Sequence, residues 1–274
     1  MSAINTNLAS LNAQRNLMTS QSSLETSIQR LSSGLRVNSA KDDAAGLSIA
    51  TKMDSQIRGM SQAARNANDG ISMAQTADGG LATAIDALQR MRELAVQGAN
   101  GTVGTADGVN LDKEFQQLAK EVSRIATDTK FNGKALLSTA GAATTDIQVG
   151  ADIAQTITLP KTDLETASKT IDGAKDVLNN ANSTAAITAI DAALVTINNS
   201  RSDLGASQNR LGFAVSNLQS SVENQSAAKS RIMDTDFASE TAKLTRGQIL
   251  QQAGTAMLAQ ANSAPNGVMA LLRG

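Results

Sequence analysis

The chain of 274 residues has no cysteine, histidine, tryptophan or tyrosine, and its only aromatic side chains are four phenylalanines. Without cysteine it can form neither a disulfide nor a thiolate metal site. Without histidine it lacks the side chain that most often moves protons in enzymes and binds transition metals. These absences argue against an enzyme, and we expect no catalytic residue, no cofactor and no metal.

Charge and hydrophobicity exclude further classes of protein. The formal net charge is −1, so no basic field is available to hold nucleic acid. The first residues form neither a basic region nor an apolar one, and we expect no cleavable secretory signal. No apolar run approaches the roughly 20 residues that span a bilayer. We therefore expect no nucleic-acid partner, no membrane insertion, and export only by a route that needs no cleaved signal.

Apolar residues recur at steps of three and four at both ends of the chain. This spacing lines one face of a helix, and neither end has enough apolar bulk to form a core alone. Each end is therefore predicted to pack on the other end or on another copy, which points to assembly. The predicted seam consists of Ile4, Leu8, Leu11, Leu24, Ile28, Leu31, Leu35, Leu244, Leu250, Met257 and Leu258.

The same periodicity predicts long helices over 2–33, 43–99 and 183–232, and shorter ones over 110–129 and from about 234 to 261. Five glycines interrupt the second helix, which either breaks there or packs closely on its neighbours. We favour a continuous helix, because no proline or turn cluster accompanies the glycines. Ser39 with Asp42 resembles a capping box. Asp42, Asp43, Asp234 and Asp236 could form a cation site, but capping and dipole pairing at helix starts explain them better.

The middle of the chain departs from helical periodicity. Residues 98–109 contain four glycines and are predicted to form a loop. Alternating apolar and polar residues predict a β-hairpin within 145–160. Residues 161–182 are polar, with weak helical character at best, and we interpret them as a short variable surface segment. The predicted fold is mostly α: a rod-like bundle of long antiparallel helices with a terminal coiled coil and a small β-hairpin region.

Several long motifs resemble one known family in the same order. Leu31–Ala50 (LSSGLRVNSAKDDAAGLSIA) is similar to the family's N-terminal signature, and Val268–Arg273 (VMALLR) to its C-terminal end. Further similar stretches are LQRMRELAVQ from Leu88, RSDLGASQNRL from Arg201, SRIMDTDF from Ser230 and QILQQAGTAMLAQAN from Gln248. The family is bacterial flagellin, and the chain resembles a short form with little or no variable outer domain.

The resemblance implies an architecture and a set of partners. Residues 1–42 and 235–274 would form the terminal coiled-coil domain that lines the filament's inner tube and orders on assembly. Residues 43–160 and 183–234 would form the outer-tube domain. The chain would polymerise into the extracellular filament used for swimming. Its other partners would be the flagellar export apparatus, an export chaperone, and the filament cap and junction proteins.

The resemblance also implies recognition by host flagellin-sensing receptors. The family's Toll-like receptor segment matches Gln89, Arg90, Leu94 and Gln97, with Glu114 on a neighbouring helix. Leu271 and Leu272 match the C-terminal end of the family that intracellular flagellin sensors recognise. In the filament, these two leucines would pack against other residues of the seam. Two of the same positions also have an ordinary interpretation, with Leu94 as a seam residue and Arg90 as a surface ion pair.

Three alternatives remain open at this point. The hook–filament junction protein shares the terminal signature, although chain length and the match in the C-terminal half favour the filament subunit. A chemoreceptor-like signalling rod has a similar composition, but such rods contain no hairpin like that predicted here. An enzyme would have to operate without histidine, cysteine or tyrosine.

Overall fold

The computed structural model describes residues 6–138, 144–160, 163–173 and 177–273, without the side chains of 105, 172, 173 and 264–273. The chain divides into two compact units: Met1–Ser55 with Asn224–Gly274 (unit 1), and Gln56–Glu223 (unit 2). The elements are α1 (Leu8–Ser33), α2 (Ala44–Gly98), α3 (Thr105–Asp128), β1 (Lys130–Phe131), β2 (Lys134–Ala135), β3 (Thr145–Gln148), β4 (Thr156–Leu159), α4 (Leu164–Gly173), α5 (Asn180–Met233) and α6 (Phe237–Arg273).

The boundaries between the units fall inside α2 and α5. Unit 1 therefore contains α1, α6 and the adjoining ends of these two long helices. It also includes residues 43–55 and 224–234, beyond the terminal domain expected over 1–42 and 235–274. The predicted domain assignment stays a prediction.

In unit 1, local signals end α1 and start α6. Gly34 adopts a left-handed conformation (φ 73°) and its N–H bonds the Arg30 carbonyl, as a glycine C-cap should. Asp236 caps α6 by accepting from the N–H of Ala238 at 3.0 Å. Between the helices, Thr235 donates its N–H to the Gly34 carbonyl at 2.9 Å. The two connectors therefore pair with each other.

The start of α2 corrects one capping prediction. Asp43, not Ser39, caps this helix, because its Oδ1 accepts from the N–H of Gly46 at 2.8 Å. Asp42 accepts instead from the backbone and hydroxyl of Ser39, which stabilises the preceding turn. These hydrogen bonds lower the pKa of Asp42. Both carboxylates therefore have structural partners.

The continuous α2 helix is confirmed, and so is the close packing at several of its glycines. A Cβ at Gly80 would lie 2.9 Å from Thr129 Oγ1, and one at Gly70 would lie 3.1 Å from a side-chain carbon of Ile147. No atom lies within 4 Å of the corresponding position at Gly79. The helix tolerates the low propensity of glycine because neighbouring elements approach it closely at these points.

Two predicted helix boundaries were wrong, and one helix was not predicted. Helix α3 begins at Thr105 with Gly104 as its N-cap, and Gly108 in its first turn is buried against Leu178. Residues 164–173 form α4, whose Leu164 and Ile171 are both buried. Helix α6 runs through Pro265 to Arg273, since proline removes only one backbone donor and the backbone continues past it.

The predicted hairpin is confirmed as the antiparallel pair β3–β4, with Ile147 opposite Ile157. A second, unpredicted pair joins β1 to β2. Its turn is formed by Asn132 and Gly133, whose φ values of 48° and 80° are those of a tight hairpin turn. The mostly helical fold class is thereby confirmed, with two small β-ribbons in unit 2.

The main core lies in unit 2. Its helices α2 and α5 are antiparallel, because Arg92 pairs with Asp191 whereas Asp78 pairs with Arg201. Between them and α3, α4 and the β3–β4 ribbon lies one continuous apolar cluster. Its largest fully buried side chains are Phe115, Leu81, Leu88, Met91, Leu94, Leu137, Leu164, Ile171, Ile190, Ile197 and Leu211.

Candidate assembly site on the terminal helices

Helices α1 and α6 pack antiparallel, and leucines of α1 lie over glycines of α6. A Cβ at Gly247 would lie 3.1 Å from Leu24 Cδ1, and one at Gly254 would lie 3.1 Å from Leu17 Cδ1. Both leucines and both glycines are seven residues apart, which is the heptad repeat of a coiled coil. The missing glycine side chains allow close approach of the two helices.

Hydrogen bonds extend this contact towards both ends. Ser27 Oγ donates to Glu240 Oε1 at 2.7 Å in a buried position, and Ser10 Oγ donates to Asn262 Oδ1 at 2.7 Å. Burial opposes ionisation of Glu240, but hydrogen bonds from Ser27 and Lys243 outweigh it and lower the pKa of the carboxyl. The contact therefore fixes its register with polar groups and contains little apolar mass.

Most residues of the predicted seam are not buried within the subunit. Leu24 is buried, whereas Leu31, Leu35, Leu244 and Leu258 are half-buried. The exposed members are Leu8, Leu11, Ile28, Leu250 and Met257, and Met18, Phe237 and Ile249 add to them. Ile4 lies outside the described residues, as do the side chains of Leu271 and Leu272. Their role in a seam stays a prediction.

The sequence analysis missed the residues that hold α1 on α6. Leu17, Gly247 and Gly254 follow the same seven-residue spacing as Leu24. That matched spacing was the available signal, but glycines are not apolar and do not register in a search for an apolar stripe. Ser27 and Glu240 carried no signal, because their pairing depends on the antiparallel register.

The residues matched to host-receptor recognition lie in unit 2. Gln89, Arg90, Gln97 and Glu114 are exposed. Arg90 Nη2 lies 2.8 Å from Glu114 Oε1, and this contact raises the pKa of Arg90. Leu94 is 1% exposed and belongs to the core. The structure therefore brings Arg90 and Glu114 together on the surface and places Leu94 beneath them.

Other kinds of site are not apparent in the part of the chain that the structure describes. There, no group of three or more acidic, histidine or cysteine side chains is placed to hold a metal ion. None of the described helices combines the length and the hydrophobicity needed to cross a bilayer. The exposed apolar faces of α1 and α6 are the strongest candidate for function.

Comparison with known proteins agrees with this interpretation. The model of the bacterial flagellin N-terminal helical region matches residues 4–143, and that of the C-terminal helical region matches 187–272. A flagellin of Halalkalibacterium halodurans is 47% identical over 271 residues, covering 98% of this chain and 99% of that one. The flagellar filament 33 kDa core protein of Treponema phagedenis is 40% identical, with coverage of 98% and 99%.

A solved structure is similar as well. The crystal structure of Bacillus cereus flagellin aligns with a TM-score of 0.51 and 34% identity, covering 60% of this chain and 94% of that chain. The junction-protein and signalling-rod alternatives are not favoured, because relatives aligned over nearly the whole chain are flagellins and a filament protein. The chain belongs to the bacterial flagellin family and is a structural subunit of the flagellar filament.

Proposed function

We propose that copies of this flagellin join through the exposed apolar side chains of α1 and α6, which contact neighbouring copies in the filament. The observation that carries this proposal is the exposure of eight large apolar side chains on two helices: Leu8, Leu11, Met18, Ile28, Phe237, Ile249, Leu250 and Met257. Contiguous exposed apolar surface marks sites of protein association.

The energetics of the terminal helices support the same proposal. Full burial of a leucine or isoleucine side chain contributes about 1.5–3 kcal/mol. Ordering one residue of backbone costs about 1–2 kcal/mol. The α1–α6 contact buries few apolar side chains, so neighbouring copies supply the remaining burial. Ordering of the ends is then coupled to addition of a subunit at the filament tip.

Replacing one exposed leucine tests the proposal. We expect Leu11→Ser to raise the critical concentration for seeded assembly by about tenfold or more, because it removes apolar surface of roughly 1.5–3 kcal/mol. Gln14→Ser changes an exposed polar residue on the same helix and is the matched control. The measurement is the protein left in the supernatant after filaments are pelleted. Equal critical concentrations for Leu11→Ser and the wild type would contradict the proposal.

Protease protection tests the coupling of order to assembly. Arg15, Arg30, Lys243 and Arg246 are trypsin sites on α1 and α6. We expect trypsin to remove both ends of verified monomer quickly and to leave unit 2, whereas filaments should resist. Protection of residues 1–40 and 235–274 in the monomer would contradict the coupling.

We infer the remaining partners from family membership. An export chaperone would deliver the chain to the flagellar export apparatus. The filament cap would then add the chain at the tip of a filament that begins on the junction proteins. Expression in a flagellated host that lacks its own flagellin tests this route. The chain should then reach the medium as filament, and its retention inside the cells would count against secretion.

Recognition by a host flagellin-sensing receptor is a second proposal, supported by the exposed Arg90–Glu114 pair. We expect Arg90→Ala monomer to signal less in a receptor reporter assay. Arg124→Ala removes another exposed arginine that also pairs with a glutamate, Glu121, and is the matched control. Undiminished signalling by Arg90→Ala would overturn the assignment.

A further inference from the structure

A groove of about 380 Å³ lies between α1 and α6 in unit 1. Hydroxyl groups of α1, including those of Ser20 and Ser23, line one side. Arg30 of α1 with Lys243 and Arg246 of α6 supply three cations. The groove therefore combines hydroxyl and basic side chains with Leu250, which belongs to the exposed apolar side chains described above.

The positive charge in the groove exceeds the negative charge. Its one carboxylate, Glu240, already accepts from Ser27 and from Lys243 at 3.0 Å. Arg30 Nε is buried and has no hydrogen-bond partner. Arg246 makes no ion pair or hydrogen bond among the described residues. A buried donor without a partner costs free energy, so the groove is suited to receive an acceptor carrying negative charge.

The chain itself contains a matching group. The sequences of α1 and α6 include two carboxylates, Glu25 and Glu240. Glu25 is exposed, and it has no ion pair or hydrogen bond with any described residue. At about 100° per residue, Glu25 lies about 160° around the α1 axis from the groove-lining side chains. It therefore points away from the groove of its own subunit.

We propose that Glu25 of one copy enters the groove of a neighbouring copy and pairs there with Arg30 and Arg246. This proposal rests on the self-assembly proposed above and assigns it a specific polar contact. Because Glu25 and the groove lie on different faces of the subunit, the contact joins two different surfaces and is therefore heterologous. Such contacts repeat without closing and build an open helical polymer. The ion pair would fix the register of neighbouring copies, whereas the apolar faces would supply most of the affinity.

A charge exchange tests the contact. We expect Glu25→Lys and Arg246→Glu each to raise the critical concentration by about tenfold or more, because each places like charges together. The double variant restores an ion pair between residues 25 and 246 with the charges reversed, while Arg30 still faces the new lysine. It should therefore assemble at a lower concentration than either single variant. If the single variants failed because they misfold, combining the two changes would not restore assembly. Rescue in the double variant would therefore show that the two positions pair.

Lys41→Glu is the matched control, because it reverses an exposed charge of unit 1 that lies outside α1 and α6 and does not line the groove. It should have little effect. Failure of the double variant to rescue, or normal assembly of Glu25→Lys, would overturn the contact. A third outcome would also overturn the contact: Glu25→Lys assembles normally, phosphate stimulates assembly, and Arg246→Glu abolishes that stimulation. The groove would then be a site for anions from solution. Leu11→Ser tests the apolar faces separately, so the two proposals can fail independently.

Discussion

The two compact units of this flagellin are both helical, but they bury very different amounts of apolar surface. In the described part of unit 1, the buried apolar side chains are Leu24, Val37 and Ala50, and the buried polar ones are Ser10, Ser27 and Glu240. Unit 2 contains a continuous core that draws on each of its helices and on the β3–β4 ribbon. Unit 2 therefore has the means to fold alone, whereas unit 1 leaves large apolar side chains exposed.

This difference separates two requirements on the subunit. A soluble monomer needs a core that holds without partners, which unit 2 supplies. A growing filament needs surfaces that gain free energy only when a neighbour is present, and we propose that the exposed faces of α1 and α6 supply them. Glycine at 247 and 254 allows the two helices to approach each other over Leu24 and Leu17, while most of their other large apolar side chains stay exposed.

Leucine truncation in the two units should give the largest contrast. We expect Leu88→Ala, in the fully buried core, to lower the free energy of unfolding of the monomer by about 2–5 kcal/mol, because it leaves a cavity. Leu8→Ala makes the same chemical change at a side chain that is 62% exposed. It should change monomer stability by less than about 0.5 kcal/mol. Urea denaturation of monomer measures both, and equal losses would refute the contrast.

Glycine substitution should give an intermediate effect and sharpen the same contrast. A Cβ at Gly98 would lie 2.8 Å from the Val177 carbonyl oxygen, which is backbone and cannot move aside easily. We expect Gly98→Ala to destabilise the monomer by about 1–3 kcal/mol. Gly212→Ala is the matched control, because nothing lies within 4 Å of its Cβ position and alanine favours helix by about 0.5–1 kcal/mol.

The corresponding change in unit 1 should cost less. At Gly247 the nearest atom is the end of the Leu24 side chain, which can rotate away. We therefore expect Gly247→Ala to lower filament melting temperature slightly and to leave monomer unfolding in urea unchanged. If Gly247→Ala lowered the free energy of unfolding of the monomer more than Gly98→Ala does, unit 1 would be the more tightly packed of the two units.

The regular parts of the fold were predictable from sequence, because long helices repeat the same signal many times. In α2, apolar residues every three or four positions reach from Ile49 to Leu94, and a few glycines do not obscure them. The ribbon β3–β4 was predictable for the same reason, since Ile147, Ile157 and Leu159 alternate with polar residues. The family motifs within these helices then indicated that the chain is a filament subunit.

The missed elements are short or depend on partners. Helix α4 has ten residues, and its two fully buried side chains, Leu164 and Ile171, are seven residues apart, which is too sparse to indicate a stripe. Its cap, in which Asp163 accepts from the N–H of Thr166 at 2.9 Å, was a signal that went unused. At the candidate site, the pairing of Leu17 with Gly254 and of Ser27 with Glu240 follows from the antiparallel register, which no local pattern specifies.

The pH dependence of unit 1 should give the smallest effect. The pKa of Glu240 is lowered in the folded state, so its carboxylate stabilises the α1–α6 contact above the ordinary glutamate range. That contribution is lost as the pH falls through the lowered pKa. We expect Glu240→Gln filaments to be slightly less stable than wild type at neutral pH, and the difference to shrink as the solution is acidified.

The measurement is the filament fraction that pellets as the pH is lowered from neutral through the glutamate range. Glu223→Gln, at an exposed position of α5 in unit 2, is the control and should follow the wild-type curve. Because other carboxylates titrate in both proteins, the informative quantity is the difference between the variant and the wild type. A difference that stays constant with pH would mean that the carboxylate charge of Glu240 does not stabilise the contact. In that case Ser27 and Glu240 would contribute by hydrogen bonding and shape alone, and the polar register of unit 1 would be independent of charge.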